Sequence, residues 1–203
     1  NSENARISYA NGEYAMKLNK TKWFVWSNPT LSKNNFKNVQ VEAKVANANL
    51  AADASFGVMC NYVDKDNYYY AGIDTQGFYA IVKYKTQKDN FLTGGGKWAK
   101  SSKIATKATH YAIAVECVNG SISLFVDDEL IDVVQDSDYT SGNAGIFAWS
   151  NDTATAEIRF DDIETGRLER CGDALVVVDA FQGPPGLFNG ACTYAEGASA
   201  TGV

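Results

Sequence analysis

Glycoside hydrolysis needs two carboxyl groups facing one cleft, so the acidic side chains come first. Along a strand such a pair shares a face only at i, i+2 or i+4. Glu157 and Asp161 meet that spacing, with Arg159 between them on the same face. Asp161-Asp162 closes the segment, and no Glu-x-Asp-x-x-Glu pattern occurs in the chain. These acids read as structural and turn residues, not as a catalytic pair. His110 is the single histidine and has no Ser or Asp partner at a recognisable spacing. That argues against a Ser-His-Asp triad and leaves His110 as a strand-edge residue. Calcium takes about six to eight oxygens. Asp64 with Asp66, Asp127-Asp128-Glu129 and Asp161-Asp162 offer some of them, but the Asp64–Asn67 run lacks the rest of an EF-hand loop. The default for all three groups is a solvated turn.

The aromatic residues point to a different chemistry. A pyranose ring stacks its apolar face on Trp or Tyr while polar neighbours bond its hydroxyls. Trp23, Trp26, Tyr68, Tyr70, Tyr79, Trp98 and Trp149 are of the right type, with Lys83 as a polar neighbour. If Ile73 is core, so is Tyr69, and Tyr68 and Tyr70 then lie on the open face. Trp26, Tyr68, Tyr70, Tyr79, Lys83 and Trp98 are the contact residues this predicts. Roughly half of such rings belong to ordinary core. The exposed ones would serve a protein interface equally well.

The totals narrow the partners. The chain has 203 residues and a formal charge of −6. Nucleic acid needs a basic face, and so does an anionic lipid surface; neither is expected here. No apolar run approaches the length of a membrane span, so no membrane insertion is expected. The chain opens NSENARIS, without Met and without a charged-then-apolar leader, which fits an exported protein whose signal has been removed. Four cysteines, Cys60, Cys117, Cys171 and Cys192, allow three full pairings. None lies in a C-x-x-C. A zinc site would need all four, or three with His110, at irregular spacing. Cys60 and Cys117 each fall inside a predicted strand and are paired on that ground. Cys171 and Cys192 then pair by elimination. Two disulfides imply an oxidising, extracellular compartment.

Strands must position these residues. Phe56–Lys83, FGVMCNYVDKDNYYYAGIDTQGFYAIVK, reads as three strands broken by Asp64-Lys65-Asp66-Asn67 and Asp74-Thr75-Gln76-Gly77. Aromatic and β-branched residues suit a pleated surface, and Asp, Asn and Gly suit the turns. Phe36–Val45 alternates, with Val39, Val41, Ala43 and Val45 on one face. His110–Val118 and Ser121–Val126 form a hairpin around Asn119-Gly120, a type I′ dipeptide. Glu13–Leu18, Lys22–Trp26, Leu130–Val134, Asn143–Trp149, Thr155–Glu164 and Ala174–Phe181 are further strands. Asn1–Ile7 reads as irregular, and Thr86–Thr109 as a loop with a short strand near Trp98–Ile104. Strands recurring roughly every ten residues with turn chemistry between them, and no amphipathic helix, predict an antiparallel sandwich or barrel.

From Asn11 to Glu164 the order of features resembles the concanavalin A-like, laminin-G-like jelly roll of bacterial secreted and cell-surface proteins. The matching pieces are NGEY at Asn11–Tyr14, FKNVQVEAKV at Phe36–Val45 and the Phe56–Lys83 meander. AVECVNGSISLFVDDELI at Ala114–Ile131, SGNAGIFA at Ser141–Ala148 and IRFDDIE at Ile158–Glu164 follow in order. The resemblance implies a two-sheet sandwich and, independently of strand placement, the Cys60–Cys117 pairing. It also implies that an aspartate comparable to Asp161 can contribute to a structural calcium site, the one cofactor considered. Such domains usually begin with a strand that is missing here. A similar piece stands at the other end, Val176–Phe188, VVVDAFQGPPGLF.

The expected architecture is therefore all-β: a sandwich over residues 1–165, then an extension over 166–203 with one strand at 174–181 and a disulfide loop. Gly166–Arg170 is the charged break between them. The C-terminal strand either completes its own sheet, completes a neighbour's by strand donation, or stands apart. The expected function is a non-catalytic extracellular module of a cell envelope that binds a glycan or another cell-surface component. The alternative is a structural subunit of a surface filament, copies joining through the C-terminal strand. A glycoside hydrolase, a reaction this jelly roll also hosts, ranks last.

Overall fold

The computed structural model describes residues 2–10, 12–28, 36–48, 54–152, 155–171 and 174–180. The described elements are all strands: β1 (Ala5–Ala10), β2 (Glu13–Leu18), β3 (Trp23–Ser27), β4 (Val39–Asn47), β5 (Ala54–Asp64), β6 (Asn67–Asp74), β7 (Phe78–Lys85), β8 (Lys88–Phe91), β9 (Ala99–Lys100), β10 (His110–Val118), β11 (Ser121–Val126), β12 (Glu129–Gln135), β13 (Asn143–Ser150), β14 (Ala156–Cys171) and β15 (Ala174–Ala180). One sheet runs β1-β2-β14-β4-β10-β11-β12, with β15 also on β14. The other runs β3-β13-β5-β6-β7-β8, with β9 on β7. The strand pairs are antiparallel.

Alternation fixes which side of each strand meets the core. In β4, Val39, Val41, Ala43 and Val45 are buried against Ile113, Val115, Ile122 and Leu124 from the same sheet and Phe56, Val58 and Ile73 from the other. Cys60 on β5 and Cys117 on β10 close a disulfide between the two sheets, with Cα atoms 6.4 Å apart. Local chemistry sets the hairpins. Asn119 and Gly120 take φ values of 50° and 82°, the type I′ geometry their sequence calls for. Asp74 caps the β6–β7 turn, its Oδ1 accepting from the amides of Gln76 (2.8 Å) and Phe78 (2.9 Å).

Three differences from the sequence reading are physical. β1 begins at Ala5, because its backbone pairs with β2 from Ala5↔Leu18 to Ala10↔Glu13. β8 lies in the segment expected to be loop; Lys88-Asp89-Asn90 carries no apolar alternation, and pairing to β7 alone makes it a strand. β14 continues through the expected break at 166–170. Gly166 and Arg167 bond Gln40 and Val39 of β4 on one side, and 166–171 bond β15 on the other. Ladder bonds on both edges outweigh the cost of charge in a strand.

β15 settles on its own chain, with Gly166↔Ala180 and Cys171↔Ala174 in register. Strand β2 holds the Ala156–Phe160 part of β14. The C-terminal strand thus completes the sheet beside the N-terminal hairpin. Asn11, Thr153, Cys192 with its expected bond to Cys171, Pro184-Pro185 and the rest of 181–203 lie outside the described residues.

Candidate functional site

The second sheet carries a further apolar cluster on its outer face, away from the main core. Met59, Tyr68, Tyr70, Ala80, Val82 and Phe147 form it, with Phe24, Tyr62, Tyr84, Phe91 and Trp98 packed around them. Strand period explains the membership: Tyr69, Ala71 and Ile73 point into the sandwich and Tyr68 and Tyr70 point out. Cross-strand pairing sets Trp149 beside Phe24, Phe147 beside Trp26, Tyr70 between Met59 and Val82, and Tyr84 between Tyr68 and Asp89.

Two opposed glycines make room for this surface. Gly57 pairs with Gly72. A Cβ on Gly72 would stand 2.6 Å from Cζ of Phe147, and one on Gly57 would stand 2.6 Å from the Gly72 Cα. With only backbone there, the Phe147 ring lies against the sheet. The rings then link. Tyr68 stacks on Tyr84 (4.8 Å between centroids), Tyr62 (5.4 Å) and Trp26 (6.4 Å). Phe24 stacks on Phe147 at 5.2 Å, and Tyr70 meets Phe147 edge-on at 5.0 Å. Each such pair adds about 0.5–1.5 kcal/mol beyond burial, so the platform is rigid.

An open groove of about 310 Å³ runs over this platform. Phe24, Trp26, Tyr68, Tyr70, Tyr84 and Trp149 line it, with Lys22, Lys65, Gln87 and Asp89 around them. Tyr68 and Tyr70 are 3% and 2% exposed, whereas Trp26 is 37% exposed, so Trp26 is the ring most open to a ligand. Burial pushes the hydroxyls of Tyr68 and Tyr70 well above the usual tyrosine range, so both stay protonated. Tyr70 donates to Asp89 Oδ1 at 3.0 Å. Asp89 is exposed as a residue, but desolvation at its carboxyl raises it above the ordinary aspartate value despite the Tyr70 bond.

The structure brings together only some of the residues singled out from sequence. Trp26, Tyr68, Tyr70 and Trp149 line the groove. Trp98 packs on Phe91 on the same outer face, at 6.4 Å, but does not line the groove. Tyr79 and Lys83 are displaced by parity: on β7, Ala80 and Val82 face out, so Tyr79 and Lys83 face the sandwich. Tyr79 donates to Asp132 Oδ2 at 2.9 Å. Lys83 donates to Asp136 at 2.5 Å and Asp138 at 3.0 Å, and Tyr69 donates to the other oxygen of Asp136 at 2.5 Å. That network ties β6 and β7 to the segment after β12. Trp23 also faces inward, under the Lys20 ammonium at 4.7 Å.

Sequence reasoning missed Lys22, Phe24, Lys65, Tyr84, Gln87 and Asp89. Phe24 was available from its i, i+2 relation to Trp26. Gln87 and Asp89 depended on recognising β8.

The carboxylates considered for catalysis stand on the outer face of the other sheet. Arg159 donates to Glu157 Oε1 at 2.8 and 3.0 Å and to Glu13 Oε2 at 3.1 Å. Asp161 is exposed, and its Oδ1 accepts from the Asp162 amide at 2.9 Å. The Lys44 ammonium sits 2.6 Å from Asp162. A lysine already supplies positive charge there, and among the described residues no group of three or more His, Cys, Asp or Glu is arranged to hold a metal. His110 opens β10, with Nδ1 2.9 Å from Thr109 Oγ1.

Two antiparallel sheets in this order, joined face to face, define a concanavalin A-like jelly-roll sandwich. Solved structures bear this out. The chain is similar to the carbohydrate binding module CBM66 from Bacillus subtilis, with a TM-score of 0.54, 14% identity, and 80% of this chain and 91% of that one covered. It is also similar to the Bacillus licheniformis beta-glucanase, with a TM-score of 0.50, 12% identity, and 76% and 79% covered. A sialidase superposes with a TM-score of 0.54 at 9% identity, over 82% of this chain and 16% of that one. At these identities the likeness is one of fold. No protein-family profile matches the chain, and no curated protein sequence matches it.

Proposed function

We propose that the chain is a non-catalytic, extracellular carbohydrate-binding module whose ligand lies in the groove on the outer face of the β3–β8 sheet. The observation that carries this reading is the exposed Trp26 ring at the end of a rigid aromatic platform, bordered by polar side chains. That combination suits a sugar, which offers one apolar face and a rim of hydroxyls. A fold shared with a carbohydrate-binding module supports it. A binding role is favoured over hydrolysis because Asp89 is the one carboxylate among the described residues lining the groove, and hydrolysis needs two. The inter-sheet disulfide favours an oxidising, extracellular setting.

The test is a glycan array probed with the unaltered chain and with Trp26→Ala. Binding that is lost in the variant, with its melting temperature kept, is the expected result. Absence of binding across the array would refute the reading.

A further inference from the structure

The turn between β7 and β8 is held in a costly conformation. Thr86 and Gln87 both have positive φ, 51° and 64°. This is type I′ geometry, which Asn-Gly adopts at little cost. A β-branched threonine there is a true outlier, and strain of this kind gathers where a site needs a particular side chain. The turn delivers Gln87, and the strand after it delivers Asp89, to the wall of the groove.

Asp89 is already positioned. Tyr70, itself buried and bonded at 3.0 Å, fixes Oδ1. Among the described residues Oδ2 takes part in no hydrogen bond, and the same holds for the Gln87 amide. The lysines of the groove are differently placed. Lys65 lies 2.7 Å from Asp66, and Lys22 lies 3.4 Å from Asp152, so each already has a carboxylate partner.

We infer that the β7–β8 hairpin is the specificity element of the groove, and that it selects an uncharged sugar by reading free hydroxyls with Asp89 Oδ2 and the Gln87 amide. Asp89 accepts from a hydroxyl, Gln87 both donates and accepts, and the Asp89 carboxylate repels a uronic acid. The inference rests on the carbohydrate-binding reading above, and the experiment separates the two.

Titration calorimetry with a soluble β-glucan, a xylan, a mannan and polygalacturonate is run on the unaltered chain and on three variants. The unaltered chain is expected to bind at least one neutral polymer and to bind polygalacturonate at least tenfold more weakly. Asp89→Asn keeps the acceptor for Tyr70 and replaces the second acceptor with a donor. Loss of a hydrogen bond to a charged group predicts about ten- to a hundredfold weaker binding of the neutral polymer. The double variant Thr86→Asn/Gln87→Gly relieves the turn and removes the amide, so its melting temperature should rise while its binding weakens. Trp26→Ala reports on the platform alone. Preference of the unaltered chain for polygalacturonate would overturn the inference. So would unchanged affinity in both hairpin variants while Trp26→Ala fails to bind; the groove would then be a sugar site that this hairpin does not read. No binding of any of these polymers by the unaltered chain would overturn this inference, while the glycan array decides the carbohydrate-binding reading itself.

Discussion

Replacing Cys60 and Cys117 together with alanine should cost the chain a large share of its stability. The bond joins residues 57 apart in sequence and links the two sheets. Cross-linking a loop of that length removes unfolded-state entropy equivalent to about 4 kcal/mol. Native domains have roughly 5–15 kcal/mol in all. Both sulfurs are buried, so their deletion also leaves a small void in the main core. For a chain of this size a loss of 1 kcal/mol lowers the melting temperature by about 2–4 °C, which predicts a fall of about 8–16 °C. The assay is thermal unfolding followed by near-ultraviolet circular dichroism, with denaturant titration of the same variants. The double substitution isolates this bond, because Cys171 and Cys192 are left in place. A fall under about 3 °C would refute the reasoning, since the loop would then contribute almost no entropy to the unfolded chain. The groove should survive at temperatures below the new transition, because Cys60 faces the core while Tyr68 and Trp26 face away from it.

Gly72→Ala should destabilise the chain by about 2 kcal/mol, because its Cβ would press on the Phe147 ring and on the Phe56 carbonyl; urea titration measures it. The end network makes stability depend on pH at both limits. Burial opposes ionisation of Asp136, but the Lys83 ammonium, the Tyr69 hydroxyl and the Asp138 amide outweigh it and hold its carboxyl below the ordinary 3.8. Its contribution is therefore complete above pH 3.8 and is lost as pH falls through the lowered folded value. Lys83 is raised above 10.5, its bonds to Asp136 and Asp138 overcoming desolvation, so its contribution is complete below pH 10.5 and is lost as pH rises through the raised value. The stability gap between the unaltered chain and Asp136→Asn should accordingly narrow below pH 3.8; a gap that stays constant with pH would contradict this. A chain ending at Cys171 loses β15 and leaves the 166–171 part of β14 with an open edge. It should self-associate at concentrations where the full chain does not, as light scattering would show.

Much of the architecture was legible because period and turn chemistry are local. The alternation of β4, the Asn119-Gly120 turn and the Phe56–Lys83 meander each reappear as read. The site was legible only in part. Parity placed Tyr68 and Tyr70 on the outer face, yet it does not say that neighbouring rings cover them. Tyr79 and Lys83 could be sorted only once Ile81 was known to face the core. Strand β8 carries no pattern of its own, and its partner across the ladder is what makes Asp89 part of a groove.

By itself, the sequence determined an all-β sandwich, its disulfide between Cys60 and Cys117, and a wealth of rings on alternate positions of the meander. The strands and the ring positions follow from side-chain period and from residues two to four positions apart, whereas the two-sheet sandwich and the disulfide, which joins residues 57 apart, rest on strand placement and on the jelly-roll resemblance. The tertiary structure decided which rings meet. Phe24 and Trp26 come from β3, Tyr68 and Tyr84 from the β6–β7 hairpin, and Trp149 from β13, three parts of the chain that only the sheet order makes neighbours. It also decided that β15 lies on β14 of the same chain, because ladder bonds depend on which edge is open. Trp26 is the exposed member of the platform for the same reason. Its own sequence made it aromatic; the fold turned it outward, and Phe24 and Tyr68 beside it determine how much of its ring remains to meet a ligand.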